Sequence, residues 1–187
     1  MKKALTLFTL LFTNAAFASE PFDYIDLAYS QQNTDWHNYT DSSSATVKTG
    51  VSAGDYVQFR ARYHDGNVQM PPNVQQETWT AYGVGFRYPV SESLWLYIGG
   101  DHNELELRNR PTERGWYNYV GARYQATPQW QFALEAGETD VVFRDTTFVV
   151  ETVYNFHSSL GLSATLRDYD DLDLTEYEIG LRWFFRN

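Results

Sequence analysis

Alternation with a period of two residues runs through nearly the whole chain and is clearest in its closing stretch, TEYEIGLRWFFRN (175–187). Tyr177, Ile179, Leu181, Trp183 and Phe185 alternate with Glu178, Gly180 and Arg182, and Phe184 is the exception. Period-two alternation marks a strand with two unlike faces. One face here is apolar and rich in aromatics; the other carries a carboxylate, a glycine and a guanidinium. A soluble barrel or sandwich would turn the apolar face inward. A transmembrane barrel would turn it outward to lipid and keep the polar face in the lumen. The two readings bury opposite residues, so the rest of the chain has to decide between them.

The chain opens with Lys2 and Lys3, an apolar run from Ala4 to Thr13, and Ala16-Phe17-Ala18 before Ser19. This is the layout of a secretory signal peptide, with an apolar run too short to span a bilayer. The expected division is therefore a signal peptide at 1–18, removed on export, and one domain at 19–187. The chain has no cysteine, so neither a disulfide nor a lipid-anchoring thiol is available. Without Lys2 and Lys3 there remain 12 basic and 24 acidic residues, a net charge near −12. That balance argues against nucleic acid, which requires a basic surface. No later stretch is long and apolar enough for a transmembrane helix. Aromatic residues reach 17%, and with frequent Gly and Thr they favour strands.

Ten strands are predicted, over about 22–32, 45–53, 56–65, 78–90, 94–107, 115–127, 130–138, 146–156, 159–169 and 175–187. The phase of the fifth is open, because its first residues are apolar on both faces. Polar segments fall at 33–44 and 66–77, the latter with Pro71-Pro72. Short turns near 54, 91, 128 and 157 alternate with longer or more acidic connections near 38, 71, 111, 142 and 171. That rhythm suits an up-and-down barrel with tight turns at one end and larger loops at the other. An even strand number brings both termini to the same end.

The polar faces carry charges of both signs: Asp26, Lys48, Arg60, Arg62, Arg87, Arg123, Glu135, Glu151, Arg167, Glu178 and Arg182. A soluble, lipocalin-like barrel would expose them, whereas a lipid-facing barrel would pair them with one another in its lumen. Most predicted strands reach the nine to eleven residues needed to cross a bilayer at a tilt, longer than ordinary soluble strands. Tyr29, Tyr63, Tyr88, Trp116, Tyr124, Trp130, Tyr154, Tyr169 and Trp183 sit near strand ends, as interfacial girdles require. The expected fold is an all-β, antiparallel, up-and-down transmembrane barrel of about ten strands.

In the signal segment, in the runs GVSAGDYVQFRARY, GVGFRYPVSESLWLYIGG and GARYQATPQWQFALEAG, and in the closing EIGLRWFF, the chain resembles the small outer-membrane β-barrels of Gram-negative bacteria of the OmpA-domain and OmpX type. The resemblance covers the whole mature chain. It implies an outer-membrane location, contact with membrane lipid and lipopolysaccharide, and a monomer. Tyr177, Ile179, Leu181, Trp183 and Phe185 would serve as the signal read by the barrel assembly machinery, although Arg186 and Asn187 trail the usual terminal aromatic. Members of this family usually have eight strands, so eight stands as the alternative count. The family includes adhesins, narrow pores, lipid-modifying enzymes and structural barrels, and it leaves the role open.

The luminal charges define either a packed salt-bridge plug or a charge-selective pore, and the narrow bore of a ten-stranded barrel favours the plug. Asp168, Asp170, Asp171 and Asp173 crowd one loop and form a candidate divalent-cation site, though DYDDLD lacks the Gly and closing Glu of an EF-hand loop. Asp35, His37 and Ser42 to Ser44 share the first large loop, the side from which an enzyme would act on lipid A. His64 and His102 are expected at the external mouth beside Asp65 and Asp101, and His157-Ser158 in a turn at the opposite end. Trp36 and Tyr39 are candidate surface-binding aromatics. No zinc-ligand spacing is present among the histidines, and no cofactor is expected. The favoured role is structural or surface-interacting and without catalysis. A narrow channel for ions or small solutes is the alternative, and a lipid A-modifying enzyme the lesser one.

Overall fold

The computed structural model describes residues 21–34, 40–70, 73–108, 110–141, 144–171 and 173–185. The expected signal segment and Asp35, Trp36, His37 and Tyr39 lie outside the described residues. Ten strands follow one another: β1 (Tyr24–Thr34), β2 (Thr40–Ala53), β3 (Val57–Met70), β4 (Asn73–Ser91), β5 (Leu94–Leu107), β6 (Glu113–Gln125), β7 (Trp130–Thr139), β8 (Asp145–His157), β9 (Leu160–Tyr169) and β10 (Leu174–Phe184). Each pairs antiparallel with its chain neighbours, and β1 pairs with β10, so the sheet closes on itself with no free edge. The ten-strand, up-and-down expectation is borne out, and the eight-strand alternative is excluded.

The closing seam shows why the alternation sets the register. Leu27 lies opposite Leu181 and Tyr29 opposite Ile179 on the outer face. Asp26 lies opposite Arg182 on β10 and opposite Lys48 on β2 on the inner face. A slip of one residue would turn the ions to the outside and the leucines to the inside.

Exposure decides between the soluble and membrane readings. Ile179 is 70% exposed and Tyr88 65%, while Arg182, Asp26 and Glu176 are fully buried. A water-soluble domain does not present a continuous apolar belt of this kind. The belt belongs against lipid, with the polar face enclosed.

Two segments expected as loops are strand. β2 begins at Thr40, within the polar 33–44 segment, and β3 and β4 run on to Met70 and Asn73, through the expected 66–77 loop. The two strands pair as far as Met70 and Asn73; Pro71-Pro72 between them lies outside the described residues. Uncharged Ser, Thr, Gln and Asn there have the composition of a loop, but neighbouring strands pair with their backbones. β5 resolves its open phase with Tyr97, Asp101, Asn103 and Leu105 inside and Leu96 and Ile98 outside.

The connections at the end carrying both termini are short. Among them Gly54 takes φ 68°, a conformation that glycine adopts without a Cβ penalty. Pro89, on β4, sits beside a register shift between Pro89 and Ser91, where its missing N–H does no harm.

Candidate functional site

The inner wall holds nearly all the chemistry of the described residues. From β6 to β9 an alternating chain of charges follows the lumen. Arg123 Nη2 donates to Glu151 Oε1 at 3.0 Å. Arg182 donates to both oxygens of Glu151, at 2.9 and 2.6 Å, and to Asp26 Oδ2 from Nε and Nη2, at 3.1 and 2.7 Å. Lys48 Nζ stands 3.7 Å from Asp26 and donates to Glu178 Oε2 at 2.5 Å. Arg62 Nη2 donates to Glu178 Oε1 at 2.6 Å and to Glu176 Oε1 at 2.5 Å. Arg167 Nε ends the chain, 4.0 Å from Glu176 Oε2.

A second cluster crosses the bore. Arg60, on β3, donates from Nε to both oxygens of Asp101 at 2.9 and 2.7 Å, and from Nη1 to Glu135 Oε2, on β7, at 2.8 Å. Its guanidinium carbon lies 3.4 Å from the Tyr119 ring centroid, and Tyr117 donates its hydroxyl to Glu135 Oε1 at 3.0 Å. Multidentate, charge-assisted bonds of this kind fix long side chains in place. Gly121 makes room for the tyrosines, since a Cβ there would lie 2.5 Å from Tyr97 Cζ.

Aromatic rings narrow both ends of the bore. At the loop end Trp79 of β4 and Tyr169 of β9, from opposite walls, stand 6.5 Å apart, and Trp79 Nε1 donates to Asn103 Oδ1 at 2.8 Å. At the end of the termini, the Phe22 ring packs edge-on to Trp95 and Tyr97. Between them a cavity of about 110 Å³ remains, lined by Lys48, Arg60, Arg62, Tyr117, Glu135 and Glu151 among others. It has room for a few waters, and Arg62 Nε and Arg123 Nε find no acceptor among the described residues.

All eleven residues assigned to the luminal face from the sequence project inward. Ten of them join the two clusters; Arg87 stands apart at the terminal mouth, donating to Gly54 O at 2.8 Å and Asp55 O at 3.1 Å. Glu176, Asp101, Tyr117 and Phe22 were missed. Glu176 shares the parity of Glu178 and could have been found by extending the alternation by two residues. Asp101 was hidden by the ambiguous phase of β5.

Three placements are corrected. Tyr169 is 3% exposed and faces the bore rather than the girdle, because it shares the parity of Arg167 on β9. His102 faces outward between the Tyr82 and Trp116 rings, at 5.3 and 5.4 Å, not toward the mouth, since it alternates with inward Asp101. His64 is buried inside the bore, with Nδ1 3.0 Å from Ser44 Oγ and 3.6 Å from Glu176 Oε1. A nucleophile relay needs the two ring nitrogens on different partners, and here one nitrogen faces both. His157 Nδ1 lies 3.1 Å from Ser159 Oγ in an exposed turn.

The acidic loop does not converge. Asp168 Oδ1 accepts from Thr175 Oγ1 at 2.9 Å, the Asp171 amide donates to Asp145 Oδ1 at 3.0 Å, Asp170 is exposed, and Asp173 takes φ 45°. Among the described residues no three His, Asp or Glu side chains are placed to hold a metal ion. Tyr177, Ile179, Leu181 and Trp183 all face outward, and Trp183 packs edge-on to Phe185 at 5.2 Å.

A closed antiparallel barrel with an apolar belt outside and paired ions inside is an integral outer-membrane β-barrel. Residues 4–185 match the family model of the outer membrane protein beta-barrel domain, and the chain belongs to that family. No curated protein sequence matches it significantly. Among solved structures it is similar to the NanC porin (11% identity, TM-score 0.59, covering 86% of this chain and 100% of that one). It is similar also to the outer membrane protein OprG from Pseudomonas aeruginosa (12%, 0.50, 91% and 99%). The translocator domain of the autotransporter NalP from Neisseria meningitidis matches too (10%, 0.52, 98% and 94%). At these identities the likeness is one of fold alone.

Proposed function

We propose that this protein is a resting, closed outer-membrane barrel with a structural or surface-interaction role and no catalysis. Both termini and the short turns lie in the periplasm, and the larger loops lie outside. The reading rests on the cross-bore cluster Asp101–Arg60–Glu135. It links β3, β5 and β7 at a level where a conducting pore would need free cross-section. The continuous chain from Arg123 to Arg167 supports it, because side chains that satisfy one another have little residual field with which to select a solute. The lone-nitrogen contacts of His64 support the absence of hydrolase or acyl-transfer chemistry. The outward strip of β10 suits recognition by the barrel assembly machinery, and the apolar belt suits a monomer among membrane lipid and lipopolysaccharide.

The second reading, a narrow channel for ions or small solutes, is favoured by the charged wall of the residual cavity. Planar-bilayer recording of the purified, refolded barrel separates the two. The closed reading expects no discrete steps from the parent protein, and steps from the Arg60→Ala, Phe22→Ala double variant, which removes both the bridge and the ring at the end of the termini. Discrete steps from the parent protein would make it a channel and overturn the closed reading.

A further inference from the structure

Residues 21–23, just before β1, fold across the periplasmic mouth of the barrel. Phe22 is 3% exposed although it precedes the first strand. Its ring centroid lies 4.7 Å from the Arg87 guanidinium carbon and 5.0 Å from that of Arg123, both within cation–π range. The backbone on either side is fastened. Arg123 Nη1 donates to Pro21 O at 2.9 Å, the Ser52 amide donates to Asp23 Oδ1 at 2.5 Å, and the Phe185 amide donates to Asp23 O at 3.1 Å.

We propose that the turn 21–23 is a stopper, and that the Phe22 ring, gripped by Arg87 and Arg123, controls entry to the luminal cavity from the periplasm. Three observations carry this beyond the closed-barrel reading on which it rests. First, the turn belongs to no strand, so its departure would break no ladder. Second, the two arginines have anchors of their own: the Gly54 and Asp55 carbonyls for Arg87, and Glu151 for Arg123. The frame of the mouth therefore remains when the ring leaves. Third, Phe22 itself lines the cavity, so the space behind it begins at the ring.

The stopper thus separates two kinds of closure in one bore. The ion clusters are built into the wall, whereas the Phe22 turn is a removable piece of chain held by side-chain contacts and one backbone bond, from the Phe185 amide to Asp23 O. A bulky apolar residue would fill the mouth equally well. An aromatic one adds a quadrupole that two cations can hold.

The absence of cysteine permits a direct test. Ala133→Cys places one thiol on the cavity wall, at a buried position. The full mature barrel, folded in detergent, is treated with a small methanethiosulfonate reagent, and modification is followed by mass. Asp55→Cys in the exposed periplasmic turn reports intrinsic reagent reactivity. The cavity thiol is expected to react slowly in the parent background and about tenfold faster with Phe22→Ala, the scale of losing two cation–π contacts. Phe22→Leu, which retains bulk and guards against a folding failure of the alanine variant, is expected to fall between them. Heat-modifiability on a gel establishes that each variant is folded.

An unchanged rate in folded Phe22→Ala overturns the stopper, and a Phe22→Leu rate equal to the parent's overturns the cationic grip. Acceleration by Trp79→Ala with none by Phe22→Ala also overturns it, by placing entry at the loop end. The labelling reads the stopper whether or not the barrel conducts, so a channel in the bilayer assay and a failed stopper remain separate results.

Discussion

Arg182→Met tests whether the luminal network holds the barrel together. Arg182 is fully buried, bonds to Asp26 and Glu151, and lies 4.0 Å over the Tyr24 ring. Methionine leaves much of its volume and removes its charge, leaving two buried carboxylates without their shared cation. Removing one partner of a buried pair costs about 3–5 kcal/mol. Two remaining partners place the expected loss near the lower end: Asp26 retains Ser163 Oγ at 3.0 Å, and Glu151 retains Arg123 at 3.0 Å. With a urea slope near the upper end for small proteins, about 3 kcal/mol per molar, the midpoint should fall by about 1 M. The assay is urea unfolding of the barrel in lipid vesicles, followed by tryptophan fluorescence and by loss of the heat-modifiable band. Asp26→Asn in the Arg182→Met background should cost less than the sum of the single changes, with a coupling of about 0.5–3 kcal/mol. A midpoint shift of less than about 0.3 M would put the pair in the range of exposed surface bridges, and the structural role argued for this network would be wrong.

Two further substitutions test the faces of the wall. Ile179→Lys puts a cation on a lipid-facing position that is 70% exposed; near the bilayer midplane it should cost about 2–4 kcal/mol and lower folding yield in vesicles. In a soluble barrel the same exposed change would stay within about 0.5 kcal/mol. Gly121→Ala sets a methyl 2.5 Å from Tyr97 Cζ and 2.6 Å from the Leu134 carbonyl. Overpacking of this kind costs about 1–3 kcal/mol, and the refolded variant should unfold at lower urea.

The fold was legible because a barrel repeats one rule along its length. Once Tyr177 and Glu178 were assigned to opposite faces, parity placed Arg182, Arg60 and Glu151 without any knowledge of which strands touch. What parity cannot give is partner choice across the bore. Arg62 reaching Glu176 and Glu178 on β10, and Arg60 reaching Glu135 on β7, depend on closure and tilt, and these are properties of the whole sheet. Parity also failed where composition outweighed it. The serines from Ser42 to Ser44 and the amide-rich hairpin around Pro71-Pro72 carried polar content typical of loops, and β5 began with apolar residues on both faces. Phe22 heads the predicted 22–32 strand with the parity of inward Asp26, yet in the structure it precedes β1, and only the two arginines meeting at its ring reveal what it does.

The distribution of charge bears on what the barrel can discriminate. Inside, the cations Lys48, Arg60, Arg62, Arg87, Arg123, Arg167 and Arg182 are enclosed with the carboxylates of Asp23, Asp26, Glu77, Asp101, Glu135, Asp145, Glu151, Glu176 and Glu178. The lumen therefore nearly balances its charges, with a small acidic excess, and most of the net charge, near −12 without Lys2 and Lys3, resides elsewhere. At the loop end Glu106, Glu113, Glu138, Asp168, Asp170, Asp171 and Asp173 are exposed, alongside Arg108, Arg110, Arg114 and Arg144. A charge-selective pore keeps one sign of charge unpaired along its path, and here the signs alternate and nearly cancel. In the closed barrel proposed above, recognition through electrostatics would fall to the outer rim, where field lines enter the solvent, and the lumen would lock ten strands against one another. On that reading neutralising Arg60 should lower stability, whereas neutralising exposed rim carboxylates should change it by no more than about 0.5 kcal/mol.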